Sequence, residues 1–277
     1  MEEVDKCEGK LLDEEKNKSL KENLMDYIEG FLVEFLGAIL LSYFGCACFG
    51  GTLYEALGGS LCFGFTYASI VQIFFFVDLA QINPAITLSY YIFGMFSLPM
   101  MFVYIFAQIL GSLVGTLLIQ EMTTKKILIA IHRKWTGYCT INLQNDITYL
   151  RAFAWEFGFS CFLILFVCSI VETKNLAKFD SWPLKFGLLL MFPMTYIGVA
   201  YTGGSVNPAL ILGRALVVQE WKDTWIALTA PLLASIVTTI GYHILFLPKD
   251  GEVILRELMK RRDKEDFHKE VDAELQN

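Results

Sequence analysis

The tripeptide Asn-Pro-Ala occurs twice in this chain, as Asn83-Pro84-Ala85 and as Asn207-Pro208-Ala209. Proline is favoured in the first turn of a helix, and an asparagine before it can cap that helix while its amide offers N–H donors. Each copy opens a short apolar segment, about 83–94 and 207–218, that is too short to cross a bilayer. The pair predicts two half-helices that meet N-terminus to N-terminus near the bilayer midplane, with both amides facing a common space.

The composition is that of a protein embedded in a lipid bilayer. Hydrophobic residues make up 55% of the 277 residues, charged residues make up 18%, and the mean hydropathy is +0.49. A soluble domain could not bury this much apolar surface, so we expect an integral membrane protein in contact with lipid. The net charge of -7 and the lack of a dense basic patch argue against a nucleic-acid partner.

Apolar segments of about 20 residues, the length that crosses a bilayer, occur six times. They lie at about 28–49, 57–77, 98–120, 152–172, 183–202 and 224–246. Together with the half-helices they predict an all-α membrane domain, 28–247, in which two repeats, 28–120 and 151–247, flank a polar connection, 121–150. Because each repeat has three spans, the two repeats insert with opposite topology.

The distribution of Lys and Arg predicts that both charged tails, 1–27 and 248–277, face the cytoplasm. Five of these residues lie in the N-terminal tail, three in or beside the loop after the fourth span, and seven in the C-terminal tail. In the six-span topology these regions share one side, and the opposite side carries seven. Positive residues are enriched on the cytoplasmic side of membrane proteins, which decides the orientation.

A glutamate lies in the first span of each repeat. Glu34 precedes Asn83 by 49 residues, and Glu156 precedes Asn207 by 51. A carboxylate inside a span is costly unless it has partners. One hypothesis makes the two glutamates proton carriers. The other has them accept hydrogen bonds from the backbone of the half-helix loops, with Gln108 as a further polar partner, and the symmetry of the pair favours this structural hypothesis.

The seven cysteines are scattered and odd in number, which argues against a disulfide framework and against a zinc site. Most lie in apolar segments, where a thiol packs as a small hydrophobic group. Cys139, in the connection on the non-cytoplasmic side, is expected to be a free thiol or to pair with a partner chain. The sequence contains no nucleophile–base pair, phosphate loop or metal cluster, so neither an enzyme nor a cofactor is expected.

Two Asn-Pro-Ala copies in two glutamate-bearing repeats resemble the aquaporin family, the major intrinsic proteins, over about 28–247. The resemblance implies an inverted repeat of six transmembrane helices and two re-entrant half-helices, a homotetramer, and a passive pore for water and small neutral solutes such as glycerol. Asn-Pro-Ala-Leu at 207–210 is most similar to the divergent superaquaporin branch, although that branch usually has Cys where this chain has Ala85. The branch implies the endoplasmic reticulum or another intracellular membrane rather than the plasma membrane.

Aligned on the tripeptides, the selectivity ring of that family falls on four neutral positions, Phe63, Thr195, Gly204 and Leu210. The family usually has Arg where this chain has Leu210, so the resemblance implies a wider ring with fewer hydrogen-bond donors. In the first half, Gln81 stands where His is common. Two alternatives with the same fold stay open, an ion-conducting member and a closed-pore structural or junctional member.

Arg214 lies seven residues after Asn207, two turns along on a similar helical face. One hypothesis is that it restores a positive charge at the outer mouth of the pore. The alternative is an interfacial arginine whose side chain reaches toward the lipid headgroups.

Overall fold

The computed structural model describes residues 24–50, 55–75, 77–124, 139–141, 143–144, 146–171 and 182–246. Every regular element in these segments is a helix. In chain order the α-helices are α1 (24–40), α2 (Glu55–Phe74), α3 (Pro84–Ile92), α4 (Leu98–Met122), α5 (Tyr149–Val171), α6 (Trp182–Lys185), α7 (Phe192–Val199), α8 (Pro208–Val218) and α9 (Thr224–Phe246). The predictions for most of both tails, 1–23 and 247–277, and for the middle of the connection, 125–138, lie outside the described residues.

Four helices in the described part of the chain, α2, α4, α5 and α9, are long and apolar enough to cross a membrane. The first predicted span coincides with α1 and a π-helical turn, Leu41–Gly45. The fifth coincides with α6, a π-helical segment, Phe186–Met191, and α7. π-Helical turns inside α-helices are rare, and they are frequently found at functional sites. The predicted all-α membrane fold is confirmed.

The two half-helices begin where the tripeptides predict. α3 and α8 each start at the proline, and the asparagine before it has an extended backbone. Asn83 Oδ1 accepts a hydrogen bond from the backbone N–H of Ala85 at 2.9 Å, and Asn207 Oδ1 accepts one from Ala209 at 3.1 Å. Each cap satisfies an amide that the helix leaves without a partner at its start. Local sequence therefore determines where each half-helix begins.

Each half-helix packs against the last long helix of the other repeat. α8 lies on α4, where a Cβ atom placed on Gly213 would come within 2.7 Å of the Ser112 backbone. In the same way, Ser235 on α9 donates a hydrogen bond of 2.7 Å to the carbonyl oxygen of Ala85 at the start of α3. In both cases the half-helix of one repeat contacts a long helix of the other repeat, as an inverted repeat predicts. Each tripeptide is therefore held in part by the opposite half of the chain.

Glycines allow the long helices to approach one another closely. A Cβ atom on Gly111 of α4 would come within 2.8 Å of the Ala38 side chain on α1. One on Gly187, in the second π-helical segment, would come within 2.6 Å of the Ala68 side chain on α2. Any side chain at these two positions would push apart the helices that surround the tripeptides.

The chain divides into two units, Met1–Thr239 and Ile240–Asn277. Every residue discussed below lies in the first unit. The described residues of the second, 240–246, form the last turns of α9, where the rings of Tyr242 and Phe246 lie 5.2 Å apart.

Candidate functional site

A reciprocal pair of hydrogen bonds joins the two half-helices. Asn83 Nδ2 donates to the carbonyl oxygen of Val206 at 3.0 Å, and Asn207 Nδ2 donates to the carbonyl oxygen of Ile82 at 2.8 Å. Each asparagine therefore binds the residue that immediately precedes the other. Because a carboxamide carries two N–H groups, each side chain has a second N–H beyond the one used in this bond.

Ile82 and Val206 have backbone conformations that β-branched residues rarely adopt. Their φ angles are 53° and 29°, a region that costs roughly 1–3 kcal/mol for such residues and persists only where the surroundings impose it. The carbonyl of each residue accepts the asparagine bond described above. Their amides donate to the carboxylates of Glu34, at 2.6 Å, and Glu156, at 3.1 Å. The two loops are thus held on both sides in the conformation that positions the asparagines.

Glu34 is fully buried, and N–H groups occupy both of its oxygens. Its Oε1 accepts from the backbone of Gln81 at 2.7 Å, and its Oε2 accepts from the backbone of Ile82 at 2.6 Å. Gln108 Nε2 donates both to Glu34 Oε2 at 2.6 Å and to Thr87 Oγ1 at 2.8 Å. These are the contacts of the structural hypothesis, in which the carboxylate fixes the first half-helix loop.

Glu156 is also fully buried, but hydroxyl groups supply half of its partners. Its Oε1 accepts from the Thr202 hydroxyl and from the backbone N–H of Ser205 at 3.2 Å. Its Oε2 accepts from the Ser205 hydroxyl at 2.8 Å and from the backbone N–H of Val206 at 3.1 Å. The second carboxylate therefore holds the second loop in the manner of the first, with a different set of donors.

A narrow cavity of about 10 Å³ lies beside the first loop. Its lining residues are Val71, Leu79, Ala80, Gln81, Ile86, Tyr90, Val167 and Phe186. Gln81 is only 2% exposed, and neither Nε2 nor Oε1 of its side chain hydrogen-bonds to an atom of the described residues. Its backbone carbonyl, by contrast, accepts a bond of 2.9 Å from the Tyr67 hydroxyl. The cavity thus contains one amide with an available donor and an available acceptor.

Three of the four positions of the predicted selectivity ring are buried, and Gly204 is partly exposed. Phe63, Thr195 and Leu210 are 7%, 5% and 3% exposed. Gly204 has a φ of 62°, and a Cβ atom there would lie 3.5 Å from the Thr195 Cα. The Thr195 hydroxyl donates to the carbonyl oxygen of Met191 at 2.7 Å, so it can only accept from a solute. Apolar and acceptor groups dominate at these positions.

A family model described as Major intrinsic protein matches residues 21–242. The chain belongs to the major intrinsic protein family. Aquaporin-2 of Bos taurus is 28% identical over 221 residues, 78% of this chain and 78% of that protein. Nodulin-26 of Glycine max is 28% identical over 224 residues, 79% of this chain and 78% of that protein.

The aquaglyceroporin from Plasmodium falciparum has the same fold, with a TM-score of 0.70 and a sequence identity of 24%. The match covers 80% of this chain and 98% of that one. Proteins of the major intrinsic protein family are membrane channels, so this chain is an integral membrane channel and not an enzyme.

Arg214 of this major intrinsic protein fits neither hypothesis made from its sequence. It is 3% exposed, so it does not extend toward the headgroups. Its Nη2 forms a salt bridge of 2.8 Å with Glu220 Oε2, and its Nη1 donates to Thr140 Oγ1 at 3.1 Å. Because a carboxylate pairs with the guanidinium, the side chain does not act as a lone positive charge. The sequence did not predict these contacts because they depend on tertiary structure. The connection brings Thr140, 74 residues away in sequence, against α8.

The expectation that this major intrinsic protein lacks disulfides is wrong. Cys46 is bonded to Cys139, and Cys48 is bonded to Cys62. Cys161 and Cys168 are free. The odd count was misleading because paired and unpaired cysteines coexist. A usable signal was present, since the four bonded cysteines all belong to the predicted non-cytoplasmic ends of spans or to the connection on that side. Among the described residues, no group of three His, Cys, Asp or Glu side chains is placed to hold a metal.

Proposed function

We propose that this protein is a passive channel for water and for small neutral solutes such as glycerol. The observation that carries the proposal is the reciprocal bonding of Asn83 and Asn207, which presents two amide donors where two half-helices meet. Each half-helix N-terminus has the electrostatic effect of roughly half a positive charge, so the meeting point repels cations. A water molecule or solute oxygen held by both donors cannot readily pass a proton along a file of waters.

The cavity beside Gln81 supports the same function. A buried amide without a hydrogen-bond partner is unfavourable by about 1–3 kcal/mol, and Gln81 has both polar atoms of its side chain in that condition. Water, or the hydroxyl of a polyol, can donate to one atom and accept from the other. We infer that a permeating water molecule satisfies Gln81, because a space of about 10 Å³ is on the order of what one water requires.

The composition of the selectivity ring bears on which solutes pass. Leu210 places an aliphatic side chain where the family usually has five guanidinium N–H donors, and Gly204 contributes no side chain. A ring of Phe63, Thr195, Gly204 and Leu210 offers less polar discrimination than an arginine-bearing ring. We therefore infer that glycerol passes along with water. The names of relatives, aquaporin-2 and an aquaglyceroporin among them, are in keeping with this solute class.

The remaining features of the proposal concern assembly and placement. We expect a homotetramer with both termini in the cytoplasm, located in the endoplasmic reticulum or another intracellular membrane. The two disulfides support the orientation, because the bonded cysteines all fall on the side predicted to be non-cytoplasmic, and disulfides persist in oxidising compartments such as a secretory lumen. The resemblance to the superaquaporin branch stays a prediction.

The test is stopped-flow light scattering on proteoliposomes of the purified full-length chain, with water and glycerol gradients in parallel. Asn207→Asp keeps the oxygen that caps α8 but replaces the Nδ2 donor. Gln219→Glu makes the same chemical change at an exposed residue and is the matched control. We expect fast water and glycerol flux in wild type and in the control, and a large loss of both in Asn207→Asp.

Three other outcomes would redirect the interpretation. Flux in Asn207→Asp equal to wild type would contradict the role of the paired amides. Voltage-clamp currents carried by the purified protein would favour the ion-conducting alternative, which rests on the replacement of Arg by Leu210. Folded tetramers that conduct neither water, glycerol nor ions would favour the closed-pore structural alternative.

A further inference from the structure

The two disulfides lie next to residues of the selectivity ring. We call the Cys48–Cys62 bond the hairpin disulfide, because it joins the end of the first helical stretch, residues 24–50, to the N-terminal half of α2. We call the Cys46–Cys139 bond the connection disulfide, because it joins that same end to the connection between the repeats, 93 residues away in sequence. One stretch of three residues therefore anchors two separate parts of the outer side of the channel.

The hairpin disulfide leads directly to Phe63. Cys62 precedes Phe63 in the chain, and Cys48 precedes Phe49, whose ring centroid is 6.2 Å from that of Phe63. The backbone of Gly45 covers another part of the Phe63 ring, since a Cβ atom there would come within 3.2 Å of it. The disulfide thus links α2 to the segment whose residues form the packing surface for Phe63.

The connection disulfide leads to α8. Cys139 is followed by Thr140, whose Oγ1 accepts the 3.1 Å hydrogen bond from Arg214. The next residue, Ile141, is 7% exposed and belongs to a hydrophobic cluster that includes Ile211. Arg214 lies one turn after Leu210 on α8, and Ile211 is the neighbour of Leu210 in the chain. The anchored segment therefore contacts α8 on both a polar and an apolar group close to Leu210.

We propose that the two disulfides are positioning elements of the selectivity ring. The hairpin disulfide holds Phe63, and the connection disulfide holds α8, and with it Leu210. The four ring positions lie on three different helices and a loop, so the width of the ring depends on how these parts are held together. This inference rests on the proposed function, because it presupposes a conducting pore.

Without the bonds, only noncovalent packing, such as that between Phe49 and Phe63, holds the end of the first helical stretch against its neighbours. A ring whose walls fluctuate more discriminates less by size, and glycerol is the larger solute. We therefore expect the ratio of glycerol to water permeability to rise by about threefold or more when either bond is removed, because selectivity is a difference between two free energies that both depend on the ring.

The experiment compares Cys48→Ser/Cys62→Ser and Cys46→Ser/Cys139→Ser with wild type in proteoliposomes. Cys161→Ser is the matched control, because Cys161 is a free thiol. Maleimide labelling followed by mass measurement of the intact wild type should find at most three reactive thiols among the seven cysteines before reduction. The permeability ratio should rise in both double variants and stay at the wild-type value in Cys161→Ser.

A second arm guards against variants that fail to fold. Reconstituted wild type is treated with a membrane-permeant dithiol, which gives two electrons and two protons to each protein disulfide and becomes a cyclic disulfide itself. The ratio should rise on reduction and should not change in a variant that lacks all four bonded cysteines.

Several results would overturn the proposal. One is an unchanged ratio in wild type after labelling has shown full reduction. Another is an unchanged ratio in both folded double variants. Seven reactive thiols in the protein as purified would also overturn it, because neither disulfide would then be formed. Wild-type protein with both bonds formed and no water or glycerol flux would instead refute the proposed function, and the positioning role with it.

Discussion

The substitution Glu34→Gln tests how the first half-helix loop is held. The Glu34 carboxylate accepts three hydrogen bonds, one at Oε1 from Gln81 and two at Oε2 from Ile82 and Gln108. A glutamine has one accepting oxygen, and its NH2 group would face N–H donors. The orientation that keeps the most bonds puts the amide oxygen at the Oε2 position, where it accepts from Ile82 and Gln108, and leaves the NH2 group facing the Gln81 N–H. One hydrogen bond to a charged group is lost, about 1.5–3 kcal/mol, and a buried NH2 group is left unpaired, about 1–3 kcal/mol more, so the total loss is roughly 2.5–6 kcal/mol.

The same substitution at Glu156 should cost less, and the structure gives the reason. Thr202 and Ser205 reach this carboxylate through hydroxyl groups, which can rotate and accept from a glutamine NH2 group. Glu156→Gln therefore loses one backbone bond, from Ser205 or Val206, or roughly 1.5–3 kcal/mol. Both carboxylates are fully buried, so the two variants differ in the donors that surround them and not in burial.

Thermal unfolding of the purified protein and water flux in proteoliposomes would measure both effects. We expect the melting temperature and the flux to fall in the order wild type, Glu156→Gln, Glu34→Gln. Glu121→Gln, at an exposed site near the end of α4, is the control for loss of a negative charge. Equal damage from the two buried substitutions, or greater damage from Glu156→Gln, would refute the reasoning from donor type.

Two further variants probe the ring and the first loop. Leu210→Arg brings guanidinium donors into the ring, and glycerol flux should fall about tenfold, a barrier increase of about 1.4 kcal/mol; unchanged glycerol flux would place Leu210 outside the constriction. Burial raises the pKa of the Asp78 carboxyl above 3.8, although a hydrogen bond with Tyr104 opposes the shift. The folded state therefore binds this proton more tightly than the unfolded state, and its stability falls as the pH rises through the raised pKa. Asp78→Asn should raise the melting temperature at pH 8 and lose that advantage near pH 4; a lower melting temperature at both values would contradict this.

Much of the helical framework could be predicted because it depends on local signals. The predicted span 224–246 coincides with α9, and the predicted span 98–120 differs from α4 by two residues at its end. The half-helices begin at the predicted prolines because the cap needs only the asparagine and the amide two residues later. The length of an apolar segment and the residues of a helix cap can both be read from short stretches of sequence.

The partners of Arg214 and the disulfides could not be predicted in the same way. Thr140 lies 74 residues from Arg214, and Cys46 lies 93 residues from Cys139. Such contacts depend on the path of the connection, which no periodicity or spacing encodes. The reciprocal asparagine bonds are an intermediate case. The repeat predicts that the two half-helices meet, but only the structure shows that each asparagine binds the residue before the other.

The two repeats share a scaffold, but their loops differ in chemistry. In the first loop, only N–H groups hold Glu34, so its bonds have a fixed direction. In the second loop, hydroxyls that can reverse their bonds hold Glu156, and two glycines with φ angles of 100° and 62°, Gly203 and Gly204, bend the backbone. The second loop also leads into the ring positions. A different residue type is tolerated at a predicted ring position such as Leu210, because Asn207 still caps α8 and still donates to the carbonyl oxygen of Ile82. An intact pair of Asn-Pro-Ala motifs is therefore compatible with the proposed selectivity ring, which lacks arginine, because the groups that position the asparagines differ from the groups proposed to select solutes.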